Sequence, residues 1–249
     1  MEVVENVSET TIVSVEERAY VSSGFINRNG RISKLREKPL SKCSYCEWPV
    51  RTSRAHRVVK RSLDLLGAVI LLALFSPIML VVAIAVKLTS KGPILYTQSR
   101  LTERGEVFKM HKFRTMRVDA EKIYGPRFAS VRDPRVTPIG GMLRKYRLDE
   151  LPQLFDVLRG KMSLVGPRPE RPELHGELEL SIPKFRSRLE VKAGLTGLAQ
   201  IKNGYASDDE GLRKKVALDL VYINHQSLLM DLGILLKTVP VMLTGSGAR

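Results

Sequence analysis

Residues Leu63–Leu88 read LDLLGAVILLALFSPIMLVVAIAVKL, the one long apolar run in the sequence. A straight helix over it would extend ~39 Å, enough to cross a hydrocarbon core of ~30 Å. Ser76-Pro77 falls at its middle. Pro77 has no N–H for the Ala73 carbonyl, and its ring crowds that group. A carbonyl freed in lipid needs a donor, and the Ser76 hydroxyl can bond back one turn. Arg51, Arg54, Arg57, Lys60 and Arg61 precede the run, and Lys87, Lys91, Arg100 and Arg104 end or follow it. Basic flanks stay on the cytoplasmic side, so a plain span would leave one flank on the wrong side. A helix that dips in and returns satisfies both. Kinked spans are tolerated, so the run by itself leaves both topologies open and favours the re-entrant one only slightly.

Working outward, 41 Lys plus Arg stand against 26 Asp plus Glu, a formal charge of +15. Such a balance calls for an anionic partner. The apolar run turns that choice toward a membrane surface, where each nearby Lys or Arg contributes roughly 1 kcal/mol. One tryptophan and few aromatics offer no stacking platform for single-stranded nucleic acid. No N-terminal signal peptide is visible. Cys43 and Cys46 are the only cysteines; they make no disulfide framework, and a lone C-x-x-C lacks the second ligand pair of a zinc site. Residues 1–55 read as an N-terminal extension, with an acidic β-branched start and then a Ser, Gly, Asn and basic arm.

Past the run, Ile94–Gln98 and Glu106–Phe113 alternate as two strands, joined through Thr102-Glu103-Arg104-Gly105 into a hairpin. The pattern predicts helices over Thr115–Glu121, Pro138–Arg147, Glu173–Glu190 (broken at Pro183), Asp209–Gln226 and Ser227–Leu243. A further helix starts at Asp149, a natural N-cap, and stops at Gly160. The last helix carries Leu228, Leu229, Leu232, Leu235, Leu236, Val239 and Met242 with only Asp231 and Lys237 charged. It is too short and too charged to span; an interfacial position and core packing explain it equally well.

Three places could carry chemistry. Asp149-Glu150 sets two adjacent carboxylates at a helix start, where one can attack and the other hold a divalent metal. Arg144, Lys145 and Arg147 beside them favour ionised carboxylates and a diphosphate substrate. Taken alone, the ordinary reading of such a pair is a capped helix with first-turn acids. Lys112 and Arg114 alternate with apolar residues as in a strand, and join the argument only through the cations near the acid pair. Arg168, between Pro167 and Pro169, is presented with little ordering cost and can grip phosphate bidentately; a stiff loop with a solvated arginine is the equal alternative. Asp219 and Asp231 in apolar helices need a partner or a metal, ordinarily an arginine.

These pieces, in this order, closely resemble one family: the bacterial sugar transferases, or monotopic polyprenyl-phosphate phosphoglycosyl transferases. The resemblance runs from Lys60-Arg61-Ser62-Leu63-Asp64 to about Thr244. It rests on Phe75-Ser76-Pro77, Lys112-Phe113-Arg114-Thr115-Met116, Leu148-Asp149-Glu150-Leu151-Pro152-Gln153, Gly166-Pro167-Arg168-Pro169 and Gly194-Leu195-Thr196-Gly197 taken together. It implies a small, single-module enzyme that moves a sugar 1-phosphate from a UDP-sugar to undecaprenyl phosphate and releases UMP, at the first membrane step of surface-glycan synthesis. It implies Asp149 as nucleophile, through a covalent phosphosugar, and Glu150 as the Mg²⁺ ligand. Lys112, Arg144, Arg168 and Asp231 match active-site positions, and Arg114 joins them as a candidate substrate-binding residue. Ser76-Pro77 matches the family's helix break.

The expected fold is therefore α+β and mostly helical: a re-entrant membrane helix over 61–88 broken at Ser76-Pro77, amphipathic interfacial helices and a small β-hairpin. Residues 56–249 form the membrane-associated transferase domain. The expected partners are a UDP-sugar, undecaprenyl phosphate and membrane lipid, with no nucleic acid and with homo-oligomerisation left open. The expected place is the bacterial inner membrane, with the site on its cytoplasmic face. The alternative is a basic membrane-anchored module that binds acidic lipid or nucleic acid without catalysis. No residue decides which sugar is transferred.

Overall fold

The computed structural model describes residues 53–118, 120, 133–203 and 209–245, together with three short strands between Tyr20 and Ser33. The chain divides into two units, Met1–Lys42 and Cys43–Arg249. In the first, β1 (Tyr20–Val21), β2 (Gly24–Ile26) and β3 (Ile32–Ser33) pair antiparallel, with Tyr20 opposite Phe25 and Phe25 opposite Ser33. The readings at Cys43, Cys46 and most of the loop Tyr124–Thr137 lie outside the described residues.

The second unit opens with α1 (Arg54–Thr89), 36 residues long. Ser53 caps it by accepting from the His56 N–H at 3.1 Å. The helix runs on through Pro77, and the Ser76 hydroxyl donates to the Ala73 carbonyl at 3.0 Å. The acceptor that the proline orphans is thus satisfied from within the helix. Among the described residues α1 is the one helix long and apolar enough to cross a membrane. Its flanks are fixed by polar contacts. Arg61 donates to the Val157 and Leu158 carbonyls at 2.8 and 3.0 Å. Asp64 accepts from the Leu164 N–H at 3.0 Å. At the far end Arg114 donates to the Ser90 carbonyl at 2.7 Å, a cation on the carbonyl end of a helix. Between these anchors Leu74 and Val81 stay 64% and 66% exposed.

Next, β4 (Leu95–Leu101) and β5 (Val107–Phe113) form the expected hairpin, in register from Leu95 opposite Phe113 to Leu101 opposite Val107. Arg104 and Gly105 turn the chain with φ of 61° and 75°. Strand alternation sets Phe108, Met110 and Lys112 on one face, with Phe108 and Met110 in the core. Of the helix expected over Thr115–Glu121, Thr115–Val118 is not helical, while Ala120, the one further residue described, is helical. The Thr115 carbonyl accepts from the Thr137 N–H at 2.9 Å and Met116 bridges Val136, so Thr115–Val118 is extended or turned. Long-range pairing has taken the backbone groups that a helix would need.

Helix α2 (Pro138–Lys145) has Pro138 in its first turn and Thr137 as its cap, accepting from the Gly140 N–H at 3.1 Å. A Cβ on Gly140 would stand 2.1 Å from the Thr115 carbonyl oxygen, so only glycine allows this contact. After a 3-10 turn (Leu148–Glu150) comes α3 (Gln153–Leu158). Asp156 in α3 is buried and ties it to β5, accepting from the His111 N–H at 2.9 Å and pairing with His111 Nδ1 at 2.7 Å. Strand β6 (Ser163–Val165) lies parallel to β7 (Gly194–Thr196), with Ser163 opposite Gly194 and Val165 opposite Thr196. Their backbones close on Gly166, where a Cβ on Gly194 would come within 2.1 Å of the Gly166 nitrogen. This contact accounts for glycine in both the Gly166-Pro167-Arg168-Pro169 and Gly194-Leu195-Thr196-Gly197 stretches.

The rest is helical: α4 (Pro172–Ser181), a 3-10 turn (Phe185–Glu190), α5 (Leu198–Lys202), α6 (Asp209–Asn224) and α7 (Leu228–Thr244). The break expected at Pro183 separates α4 from the turn. Leu143, Leu154, Val157, Met162, Val165, Tyr222 and Ile234 build the core with Ala68, Val82 and Val86 of α1. The molecule is mostly helical with small sheets, as the sequence pattern predicts.

Candidate active site

The acid pair sits where the chain leaves α2. Arg147 adopts the left-handed region (φ 55°), and this reversal starts the 3-10 turn that carries Leu148, Asp149 and Glu150. Asp149 is therefore the second residue of the turn and not a helix cap. The helical backbone continues through Leu151 and Pro152 into α3. Both carboxylates are buried, at 7% and 8% exposure. A non-glycine residue in the left-handed region costs of order 1–3 kcal/mol, and such strain gathers at functional sites.

Three cations from separate elements converge here. Arg168 reaches both oxygens of Glu150, with Nη1 to Oε2 at 3.1 Å and Nη2 on Oε1. Lys112, at the end of the β5 face, places Nζ 3.7 Å from Glu150 Oε1. Arg144 acts on Asp149 through space and is aimed by Thr115, whose hydroxyl accepts from Arg144 Nε at 2.9 Å. Burial alone would raise the Glu150 carboxyl, but Arg168 and Lys112 outweigh it and hold the group well below the usual carboxylate range. Asp149 contrasts with its neighbour. No hydrogen-bond or ion-pair partner of Asp149 is found among the described residues. Burial first, and the Glu150 charge second, push its carboxyl up to about 6, against Lys112, Arg144 and Arg168. Burial and Arg168 bring the Lys112 ammonium down to about 8.

The structure thus brings together Asp149, Glu150, Lys112, Arg144 and Arg168. It sends the other two candidates elsewhere. Arg114 turns to the end of α1, donating to Ser90. Asp231 takes Lys60 Nζ at 2.7 Å and the Tyr222 hydroxyl at 2.7 Å, which ties α7 to α1. Asp219 finds the arginine expected for a buried acid, Arg188, at 2.7 Å. Thr115 was not legible as a site residue: a threonine after a strand carries no signal until its carbonyl and hydroxyl are seen to hold α2.

Among the described residues no group of three His, Cys, Asp or Glu could cage a metal unaided. An adjacent acid pair suits a different donor set. Magnesium takes one or two carboxylates and completes its octahedron with phosphate oxygens and water. Glu150, whose two oxygens already meet Arg168, and Asp149 are the adjacent carboxylates that could contribute to such a set.

The sequence that builds this arrangement has relatives among known proteins. Residues 55–245 match the family described as bacterial sugar transferase, and the chain belongs to that family. It is 43% identical over 197 residues to a UDP-N-acetylgalactosamine-undecaprenyl-phosphate N-acetylgalactosaminephosphotransferase of Aeromonas hydrophila, covering 79% of this chain and 46% of that one. It is 44% identical over 193 residues to a UDP-glucose:undecaprenyl-phosphate glucose-1-phosphate transferase of Caulobacter vibrioides, covering 76% and 71%. It is 38% identical over 192 residues to the exopolysaccharide production protein PSS of Rhizobium leguminosarum bv. phaseoli, covering 75% and 96%. The chain therefore aligns with about half of the Aeromonas protein and nearly all of the Rhizobium one.

Proposed function

We propose that the protein transfers a sugar 1-phosphate from a UDP-sugar to undecaprenyl phosphate, releasing UMP, at the first membrane step of exopolysaccharide or other surface-glycan synthesis. The observation that carries this reading is the asymmetry of the acid pair: Glu150 is locked by Arg168 while Asp149 beside it has no hydrogen-bond or ion-pair partner among the described residues. An unengaged carboxylate among cations is a nucleophile for an electrophilic phosphorus. An Asp149 oxygen bonds to the sugar-bearing phosphorus, the bond from that phosphorus to the bridging oxygen breaks, and UMP leaves with the electron pair. A phosphate oxygen of the lipid then attacks the same phosphorus and Asp149 departs, so no proton need move. Lys112, Arg144 and Arg168 meet the charge on the phosphoryl oxygens. Mg²⁺ held by Glu150, with Asp149 alongside, would supply further positive charge to the diphosphate.

The membrane reading draws on α1 and α7. Both flanks of α1 are fastened to the same domain, through Arg61 at one end and Ser90 at the other. A straight span would carry those flanks to opposite sides of a bilayer, so one water-facing domain holding both favours a re-entrant helix bent at Ser76-Pro77. On α7, Leu229, Leu232, Leu236, Val239 and Leu243 form an exposed apolar stripe, suited to the interface plane. The basic flanks support a site on the cytoplasmic face of the inner membrane, at the depth of the lipid phosphate. Incubation with a panel of UDP-sugars, Mg²⁺ and undecaprenyl phosphate tests the proposal. UMP release with at least one sugar, lost in Asp149→Asn, is expected; release with none would refute it.

A further inference from the structure

Pro167-Arg168-Pro169-Glu170 has no secondary structure of its own, yet four successive carbonyls accept from outside it. Pro167 O takes the Gly194 N–H at 2.9 Å and Glu170 O takes the Leu101 N–H at 3.0 Å. The two between them take side chains: Arg168 O accepts from Arg188 Nη2 at 2.8 Å, and Pro169 O from Arg100 Nη1 at 3.1 Å. The two prolines remove two N–H groups, so the turn has few donors with which to hold itself. Its geometry is set by its carbonyls.

Arg188 is the central holder. It lies in the 3-10 turn Phe185–Glu190 and is 5% exposed. Its Nε donates to Asp219 Oδ2 at 2.7 Å, its Nη1 stands 3.8 Å from Glu170 Oε1, and its guanidinium covers the Phe185 ring at 5.0 Å. Glu170 is bound by Lys215 as well. One arginine thus joins α6, through Asp219, to the backbone of the residue whose side chain grips Glu150. A buried ion pair is weak support for stability, since its desolvation cost offsets most of its attraction. Its planar fork does fix direction, which a lysine cannot reproduce.

The geometry points to Arg188 as a positioning residue for the transfer reaction: by holding the Arg168 carbonyl, against Asp219, it sets the angle from which the Arg168 side chain meets Glu150 and the phosphates. This rests on the function proposed above, and the test separates the two. In the full chain, Arg188→Lys keeps the charge and loses the fork. Its kcat for UMP release falls at least tenfold with KM within about twofold, and hydrogen exchange quickens at the Gly166 and Gly194 N–H groups, which donate to Thr196 O and Pro167 O, while the hairpin β4–β5 before Leu101 is unchanged. Added to Arg168→Lys, the same change lowers kcat less than twofold further, because it acts through Arg168. Should Arg188→Lys fail to fold, Asp219→Asn, which keeps the guanidinium and loosens its anchor, is read the same way. Wild-type kcat, unchanged exchange at the Gly166 and Gly194 N–H groups, or a full multiplicative loss in the Arg168→Lys background each overturns the inference. If the wild-type protein releases no UMP from any sugar, the activity reading fails, and the exchange measurement alone decides the role of Arg188.

Discussion

Arg168 and Glu150 meet as fork on fork, each guanidinium Nη on its own carboxylate oxygen, across 18 residues of sequence. A lysine at 168 keeps the charge but has no second parallel donor. Removing one preorganised donor from a developing charge costs on the order of 10²–10³ in rate. Arg168→Lys is therefore expected to cut UMP release about 100-fold, equivalent to about 2.7 kcal/mol of barrier, with the melting temperature little changed. A loss under threefold would show that the fork is dispensable.

Thr115 holds α2 in two ways: its carbonyl receives Thr137, and its hydroxyl receives Arg144. Thr115→Val removes only the second. UMP release is expected to fall about tenfold, a loss typical of a charge-assisted hydrogen bond of about 1.5 kcal/mol, and Thr115→Ser should restore most of it. Equal activity in the valine and serine variants would contradict this role.

Glu170 gives a pH dependence of stability. Burial alone would raise its carboxyl, but Lys215, Arg188 and Arg100 bring it down to about 2 from an ordinary 4.5. A carboxyl lowered on folding stabilises fully above its unfolded value, and that contribution fades as pH falls from about 4.5 toward 2. The difference of about 2.5 pH units corresponds to about 3 kcal/mol. Chemical denaturation of wild type and Glu170→Gln should show a gap of that order at pH 6 that narrows steadily below pH 4.5. A gap independent of pH would mean that the network does not depend on the ionised form.

The topology of α1 is open to labelling. With Cys43 and Cys46 replaced, single cysteines near Arg57 and near Arg100 are expected to react with an impermeant reagent from the same side of sealed vesicles. Opposite sides would establish a true span and remove the argument drawn from Arg61 and Ser90.

Local signals made much of this chain legible. Alternation gave the β4–β5 hairpin, Pro138 the start of α2, and the apolar periodicity α6 and α7; Ser76 and Pro77 foretold the bond to the Ala73 carbonyl. What escaped depends on partners far along the chain. Thr115–Val118 has helical composition, but Val136 and Thr137 claim its backbone. Asp149 has the chemistry of a cap, but the left-handed Arg147 places it inside a turn. Arg114 and Lys112 look equivalent two residues apart, yet one closes the end of α1 and the other faces Glu150. Asp231 meets Lys60 across 171 residues, a pairing that no local pattern announces.

The central claim is that Asp149 carries the sugar phosphate. A UDP-sugar labelled in the sugar, mixed with protein and Mg²⁺ but without lipid and quenched rapidly, should leave label on the peptide containing Asp149, one sugar phosphate per adduct. That label should disappear on adding undecaprenyl phosphate and be absent from Asp149→Asn. Lipid product formed with no adduct at any quench time, or formed at the wild-type rate by Asp149→Asn, would contradict the account.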